Sequence, residues 1–502
     1  MPTTAPVRPD HPAGTLHIST RANAAHLSRL HKRGEAVKLA AGLYVVGSAL
    51  PVESLARHHV WELIVHYWPG AVVCDRTAFD GGGGKWIFIC HPEPPRKSDL
   101  VLPGVTVSCR VGPGPLPGDM SFNGLHMSGV ARSLLENAET AGRPAKNRPS
   151  RAAGMKAVGD RIDGLASTGD GSRLVTAFAS FDQIRGYFEP ATVEKVRVLL
   201  AAASGTYKGT PIDSERLKKR VDGTPYDAAR VELFVKAAAE LDAIAPMARP
   251  VTGPETDRKW LPFFEAYFSN YIEGTRFSVE EAYAIAIDGE MPEARPKDAH
   301  DISGTYRIVN DLELMREAPR DVDDFVSMLK DRHRVLMAGR PEKRPGEFKV
   351  ETNYAGMTEF VAPDHVEGTL RAGWEHLAGL IDPFHRAVMM MFLVTECHPF
   401  DDGNGRVARV ITNVELVARG EHRIVIPTCY RNNYLATLSG ATNGNGVAAL
   451  TSALDFSRRW VAAVDWSDWG RCRADLDDSN AFEDPAVAEH SGRRLRLPGA
   501  PG

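Results

Sequence analysis

The feature that most limits the fold of this chain is a helix-length apolar segment in its C-terminal half. Residues His385–Thr395 are apolar on nearly every side of a helix, and such a helix is stable only when other elements surround it. Further along, Val410, Ile411, Val414 and Val417 recur at helical spacing. The sequence therefore predicts a helical bundle with a buried central helix, then a loop, then a second helix.

The loop between these two helices has the composition of an anion site. It runs from His398 to Arg409 and contains Gly403 and Gly405, which permit a tight backbone and the close approach of a ligand. The N–H groups of the first helical turn, together with the helix dipole, favour a bound anion. Arg406 and Arg409 lie three residues apart, so we expect both to direct their donors toward a ligand held by the loop.

The same loop also carries a candidate metal ligand and a candidate base. Asp402 offers a hard oxygen ligand suited to Mg²⁺ that is shared with phosphate oxygens. His398 offers an imidazole whose ordinary pKa lies near neutrality. Phosphoryl-type chemistry mainly requires positioning and charge neutralisation, so this loop is predicted to act on a ligand that contains phosphate.

The loop resembles the signature of the Fic family, His-x-Phe-x-Asp/Glu-Gly-Asn-Gly-Arg-x-x-Arg, and every specified position matches. The resemblance extends over roughly Arg230–Val464. It implies a nucleotidyltransferase that moves AMP from Mg·ATP to a hydroxyl group of a target protein. Family members also use other phosphate-linked donors, and a phosphate cradle does not by itself distinguish between bases.

The resemblance also implies a role for each residue of the loop. His398 would act as the general base, Phe400 would anchor the loop in the core, and Asp402 would hold Mg²⁺. The expected phosphate ligands are Gly403, Asn404 and Gly405 for the α-phosphate, with Arg406 and Arg409 for the β- and γ-phosphates.

Two further segments belong to the same resemblance. Thr352–Val361 looks like the β-hairpin flap on which target peptides dock by strand addition. Tyr434, in the helical region after Ile426, is a candidate adenine contact. The expected partners are thus ATP, Mg²⁺ and a target protein.

An upstream helix, at about residues 260–274, resembles the inhibitory motif of Fic proteins, Ser/Thr-x-x-x-Glu-Gly/Asn. Ser269 and Glu273 lie four residues apart and share one helix face, and Gly274 follows. The resemblance implies that Glu273 pairs with Arg409. A carboxylate there would occupy a γ-phosphate clamp and repel the polyphosphate. In some relatives the same glutamate instead orients the water that removes AMP, and the sequence does not decide between the two reactions.

The N-terminal region resembles the winged helix of AbiEi-type antitoxins. A helix at Ala22–Arg33 is followed by Gly34 and two strand-like segments, which is the outline of a winged helix–turn–helix. Residues 17–47 carry five Lys/Arg against one acidic residue, and Arg29, Lys32 and Arg33 are the candidate DNA contacts. A winged helix equally binds protein, and these basic residues would also suit an ordinary solvated face.

Length predicts a multidomain chain. Together with the two resemblances, it implies a fold class in which an α+β winged-helix-like region precedes an all-α Fic bundle with a β-hairpin flap. The 502 residues suffice for two or three domains. The expected segments are a flexible N-terminus (1–15), the antitoxin-like α+β region (16–140), a linker or helical connector (141–227), the Fic domain (228–468) and a polar tail (469–502).

Charge, hydropathy and cysteine usage favour a cytoplasmic protein. The net charge of −4 excludes a uniformly basic nucleic-acid binder. Residues 1–15 lack the apolar core of a signal peptide, and the apolar run Val388–Val394 is too short to cross a bilayer. The six cysteines show no CxxC pair or other metal-like spacing, which favours buried thiols in a reducing compartment.

Overall fold

The structure is a computed structural model that describes residues 13–82, 84–139, 148–167, 172–205, 213–356 and 358–499. The chain divides into two compact units, with the boundary between Val221 and Asp222. Most of the predicted flexible N-terminus and parts of the predicted linker or helical connector lie outside the described residues.

The first unit begins with a small antiparallel sheet and one helix. The strand order is β1-β3-β2, and the elements are β1 (Thr15–Ile18), α1 (Ala24–Lys32), β2 (Ala36–Ala40) and β3 (Leu43–Val46). Gly42, at φ +76°, makes the turn between β2 and β3. The helix and the hairpin lie where the sequence predicted them. Between Ala13 and the start of α1 the structure contains no second helix, so the winged-helix resemblance is not confirmed.

A six-stranded mixed sheet follows, with strand order β6-β7-β5-β4-β9-β8. Strands β5 and β7 run parallel, as do β4 and β9, and the other neighbours are antiparallel. The core between helix α2 and the sheet contains Leu63, Ile64, Ile87 and Val107. The elements are α2 (Val52–Tyr67), β4 (Val72–Val73), α3 (Asp75–Phe79), β5 (Trp86–His91), β6 (Leu100–Leu102), β7 (Val105–Val111), β8 (Met120–Phe122), β9 (Leu125–Met127) and α4 (Val130–Ala138).

The segment predicted as a linker or helical connector contains four packed α-helices in the residues that the structure describes. Leu134 of α4 shares a buried apolar cluster with Ile162, Phe181 and Leu200 from these helices. The described part of the connector is therefore part of the core of the first unit. Its helices are α5 (Met155–Ala166), α6 (Ser172–Ile184), α7 (Pro190–Ala203) and α8 (Glu215–Val221).

The second unit is a helical bundle around one central helix, as the sequence predicted. That helix is α16, in which every residue from Ala387 to Cys397 is buried. It begins after Asp382, whose carboxylate accepts the His385 N–H at 2.9 Å. The central helix α16 spans Pro383–Cys397, and the other α-helices of the bundle are α9 (Ala228–Ala243), α10 (Leu261–Ile272), α11 (Val279–Tyr283), α12 (Pro296–Val309), α13 (Leu312–Arg316), α14 (Val322–Leu336), α15 (Val366–Ala378), α17 (Asn404–Ala418), α18 (Arg431–Thr442) and α19 (Ala448–Ala463).

A short hairpin projects from this bundle where the flap was predicted. Strands β10 (Tyr354–Ala355) and β11 (Thr358–Glu359) pair antiparallel, with Tyr354 opposite Glu359. Gly356, at φ +60°, lies in the turn. The docking role of this hairpin stays a prediction.

The predicted polar tail differs from the structure, because residues 469–497 fold against the bundle. Helices α20 (Trp469–Asp478) and α21 (Pro485–Ser491) belong to the same unit. Trp469 stacks on Phe264 of α10, with 5.5 Å between ring centroids. Leu476 and Leu495 are buried in the apolar cluster that also contains Phe264. A few well-spaced apolar residues thus hold a segment whose overall composition is polar.

Within the described residues, no helix combines the length and the apolarity needed to cross a membrane.

Candidate active site

A cavity of about 390 Å³ opens where α16, α17, α18 and the hairpin meet. The structure brings most of the predicted site residues to it. Those that line the cavity are Glu273, His398, Asp402, Gly403, Asn404, Gly405, Arg409 and Tyr434.

His398 is held as a neutral imidazole with a fixed orientation. Its backbone, at φ +46°, ends α16 in the left-handed region, which is uncommon for a residue other than glycine. Its Nδ1 lies 2.9 Å from the Thr395 carbonyl oxygen. A carbonyl only accepts hydrogen bonds, so Nδ1 carries the proton and Nε2 keeps its lone pair. Burial is the main cause that lowers the pKa of His398 below its ordinary value, which favours the neutral ring at neutral pH.

Asn404 closes the loop on itself. Its Oδ1 accepts the Phe400 N–H at 2.9 Å, and its Nδ2 donates to the Phe400 carbonyl at 2.8 Å. The side chain predicted to cradle the α-phosphate is thus engaged with the loop backbone. Asn404 offers an anion its backbone N–H instead, because α17 begins at this residue.

Phe400 is fully buried and anchors the loop, as predicted. Its ring stacks on His333 of α14, with centroids 3.8 Å apart and planes 4° from parallel. His333 accepts the Gly346 N–H at Nδ1 and therefore donates from Nε2 to the Asp402 carbonyl at 3.0 Å. Burial lowers the pKa of His333 to about 4, so this positioning group is neutral. No motif in the sequence pointed to His333.

Asp402 meets the requirements of a magnesium ligand. Its Oδ1 accepts the Gly403 N–H at 2.7 Å, which aims the carboxylate at the cavity edge. The neighbouring Asp401 is engaged in a two-point ion pair with Arg344, with a shortest distance of 2.9 Å. Because Mg²⁺ usually takes one or two carboxylates and completes its shell with phosphate and water oxygens, a single aspartate beside an anion site fits this ion.

Arg406 differs from the prediction, because it points away from the cavity. Its Nη1 lies 2.8 Å from the Asp301 carboxylate of α12, and both side chains are buried. Its Nη2 contacts the Met337 sulfur at 3.3 Å. A buried carboxylate needs a cationic partner, and Asp301 draws Arg406 as well as Arg340 toward α12.

Arg409 faces the cavity and forms the predicted ion pair with Glu273. Arg409 Nη2 lies 2.6 Å from Glu273 Oε1, and its Nε donates to the Ser269 hydroxyl at 3.0 Å. A methyl group built on Gly405 would collide with the same Glu273 oxygen. The Glu273 carboxylate therefore occupies the space directly over the first turn of α17.

Tyr434 lies where an adenine contact was predicted, at the α18 side of the cavity. It is almost fully buried, and burial raises the pKa of its hydroxyl, so the group is neutral. Leu435 and Leu438 line the cavity beside it. These apolar groups would suit the face of a base, but the assignment of adenine stays a prediction.

In the first unit, Arg29 and Lys32 lie on the exposed side of α1, and Arg33, which directly follows the helix, is also exposed. Arg33 is 3.6 Å from Glu35, an exposed pair that contributes little stability. The basic surface predicted from the sequence is therefore present on this helix.

A second group of candidate ligands lies buried in the first unit. Donor atoms of Cys74, Cys90 and Glu136 lie within 4.8 Å of one another. Arg132 donates to Glu136 at 2.9 Å and to the Cys90 sulfur at 3.0 Å, and Arg110 also pairs with Glu136. Two guanidinium groups thus supply the positive charge that a metal would otherwise bring.

Known proteins are similar in sequence to the part of the chain that carries this site. A model of the Fic/DOC family matches residues 324–416. A protein adenylyltransferase fic-1 of Caenorhabditis elegans is 25% identical over 244 residues, which cover 47% of this chain and 47% of the relative. A protein adenylyltransferase Fic of Nematostella vectensis is 24% identical over 256 residues, covering 47% and 56%. The chain thus spans about half the length of the curated relatives it matches.

Solved structures that this chain matches include the C. elegans Fic-1 protein and a signalling protein with a Fic domain from Bacteroides thetaiotaomicron. The first covers 62% of this chain and 89% of its own, with 18% identity and a TM-score of 0.36. The second covers 46% and 95%, with 20% identity and a TM-score of 0.35. The family match, together with the loop from His398 to Arg409, shows that this chain contains a Fic domain.

Proposed function

We propose that this chain is a protein adenylyltransferase that moves AMP from Mg·ATP to a hydroxyl group of a target protein. The observation that carries the proposal is the convergence of three groups on one cavity: His398 Nε2, the Asp402 carboxylate and the first turn of α17. The adenylyltransferase names of the relatives support the same reaction.

The proposed general base is Nε2 of His398, because the tautomer of this ring leaves Nε2 unprotonated. Nε2 would accept the proton of the target hydroxyl as its oxygen attacks the α-phosphorus. A new O–P bond forms, the bond between the α-phosphorus and the bridging oxygen breaks, and pyrophosphate leaves. The Thr395 carbonyl, which accepts from Nδ1 at 2.9 Å, would stabilise the imidazolium that results.

The phosphates would lie over the N-terminus of α17. Gly403, at φ +75°, lets the chain enter the helix, and a methyl group there would be 2.8 Å from the Met337 sulfur. The amides of this turn and the helix dipole favour negative charge. Asp402 would hold Mg²⁺, which supplies charge neutralisation for the polyphosphate.

The Glu273–Arg409 ion pair would act as an internal brake. Its carboxylate lies over the turn that would bind phosphate, and it engages the arginine that would clamp the γ-phosphate. A bound polyphosphate would have to compete with this carboxylate for the Arg409 guanidinium. The alternative reaction, removal of AMP by a water oriented by Glu273, would use the same residues.

A target protein would dock on the hairpin by adding a strand to it. Among the described residues the hairpin pairs two strands, and Tyr354 is 62% exposed. Backbone pairing at such an edge would place a hydroxyl side chain near His398 with little demand on the sequence of the target.

The transferred group can be identified by the position of the label in ATP. With Mg²⁺ and a protein extract as the source of targets, α-labelled ATP should label protein beyond the level seen with the His398→Ala protein, and γ-labelled ATP should show no such excess, because pyrophosphate leaves. Chelation of Mg²⁺ should abolish the labelling. Incorporation from γ-labelled ATP that exceeds the level seen with the His398→Ala protein would instead indicate phosphoryl transfer and contradict the proposal.

DNA binding by the first unit is a second candidate, favoured by the exposed basic side of α1. In a mobility-shift assay with DNA from the chain's own promoter region, changing Arg29 and Arg33 together to Ala should weaken binding. Removing two phosphate contacts should also lower the slope of log K against log salt concentration by roughly two in magnitude. Equal binding by the wild type and the double variant would rule out this helix as the contact surface.

A further inference from the structure

We propose that Phe360, the residue after strand β11, is a positioning residue that holds the His398 imidazole in its reactive orientation. The proposal rests on the proposed role of His398 as the base. It adds that the hairpin, besides docking a target, supports the base directly.

The contact is a parallel stack between the two rings. The centroids of Phe360 and His398 lie 3.8 Å apart, and their planes differ by 9°. The hydrogen bond from Nδ1 to the Thr395 carbonyl restrains one edge of the imidazole but leaves it able to pivot about that bond. The flat Phe360 ring against the face of the imidazole blocks this pivoting motion. The two contacts together fix the direction of the Nε2 lone pair.

Phe360 is itself held by the hairpin. Its backbone N–H donates to the Asn353 carbonyl at 3.1 Å, which closes the hairpin. Arg230 of α9 donates through Nη2 to the Glu359 carbonyl at 2.7 Å, and its Nη1 pairs with Glu396. Because Glu396 lies on α16 just before the base, Arg230 ties the residue preceding Phe360 to the helix that ends at His398.

The stack also covers one face of the imidazole from solvent. Burial is the main cause of the lowered pKa of His398. Three charged groups act on it besides: Lys349 lowers the pKa, and Glu273 and Asp402 raise it. Removing the Phe360 ring would admit water and raise the pKa toward its ordinary value. Since the neutral imidazole is the base, the acid limb of the rate profile would then move to higher pH.

Kinetics of three variants in the Glu273→Gly background test the proposal. Phe360→Leu should lower kcat roughly tenfold through misalignment of the base, leave KM for ATP within about twofold, and move the acid limb upward. Phe360→Tyr keeps the flat ring, so its kcat and the position of its acid limb should match those of the Glu273→Gly parent. Phe456→Leu removes a ring of α19 that does not line the cavity, and serves as the matched control.

A second readout does not depend on catalysis. In NMR titrations of the folded protein, the pKa of His398 should be higher in Phe360→Leu than in Phe360→Tyr or Phe456→Leu. If no variant transfers AMP, the proposed function fails while the titration still decides the role of Phe360. An unchanged His398 pKa in Phe360→Leu, or a Phe360→Tyr variant no better than Phe360→Leu, would overturn the inference.

Discussion

Replacing Glu273 with glycine should raise the transfer of AMP from α-labelled ATP by roughly 10- to 100-fold, the range expected for loss of one charge-assisted hydrogen bond of about 1.5–3 kcal/mol. The change removes the carboxylate that lies 2.6 Å from Arg409 and adjacent to Gly405. Arg409 can then bind the γ-phosphate, and the first turn of α17 is open to the α-phosphate. The initial rate at fixed Mg·ATP is the measurement.

Two control variants separate charge from general disturbance. Glu273→Gln keeps the shape of the side chain but removes its charge, so its rate should lie between those of the wild type and Glu273→Gly. Glu290→Gly removes an exposed carboxylate that does not line the cavity and should transfer at the wild-type rate. If Glu273→Gly behaves like Glu290→Gly, Glu273 is not a brake.

Changing His398 to Ala in the Glu273→Gly background should lower transfer by about two to four orders of magnitude, the usual contribution of a general base. The reason is that among the residues lining the cavity only His398 offers a neutral imidazole with Nε2 available as an acceptor. Binding of Mg·ATP, measured by calorimetry, should persist, because the phosphate site lies on α17.

The matched control is His376→Ala, which removes a histidine of α15 that does not line the cavity. It should leave transfer unchanged. Loss of ATP binding together with transfer in the His398→Ala protein would assign His398 a structural role instead of a chemical one.

Much of the bundle and its loop could be predicted because their signals are local. The apolar surface of α16 requires burial on all sides, and Gly403 marks the entry to α17. Burial of Phe400 and the pairing of Glu273 with Arg409 were implied by the resemblance to two short Fic motifs, and both are present in the structure.

The rest depends on residues that are distant in sequence. Arg406 turns to α12 because Asp301 is buried there, and no spacing rule connects the two. His333 and Phe360 reach the loop from α14 and from the hairpin, and each contacts it through a ring stack that leaves no motif. The Asn404 side chain binds its own loop because the buried backbone N–H and C=O of Phe400 need hydrogen-bond partners.

The C-terminal helices were missed for a different reason. Segment 469–497 is rich in charge, and its buried residues, such as Cys472, Leu476 and Leu495, are too sparse to stand out from that background. Their burial depends on the aromatic surface of α10, which supplies Phe264 and Phe268. Composition averaged over the segment hides this match.

The most direct test is transfer of α-labelled ATP to protein by the wild type, by Glu273→Gly, and by Glu273→Gly combined with His398→Ala, each with Mg²⁺ present and the fold confirmed by thermal melting. Adenylyl transfer under an internal brake predicts weak labelling by the wild type, strong labelling by Glu273→Gly, and loss of labelling in the double variant. Equal labelling by all three proteins, or none by a folded Glu273→Gly protein supplied with target extract, would contradict the proposed function.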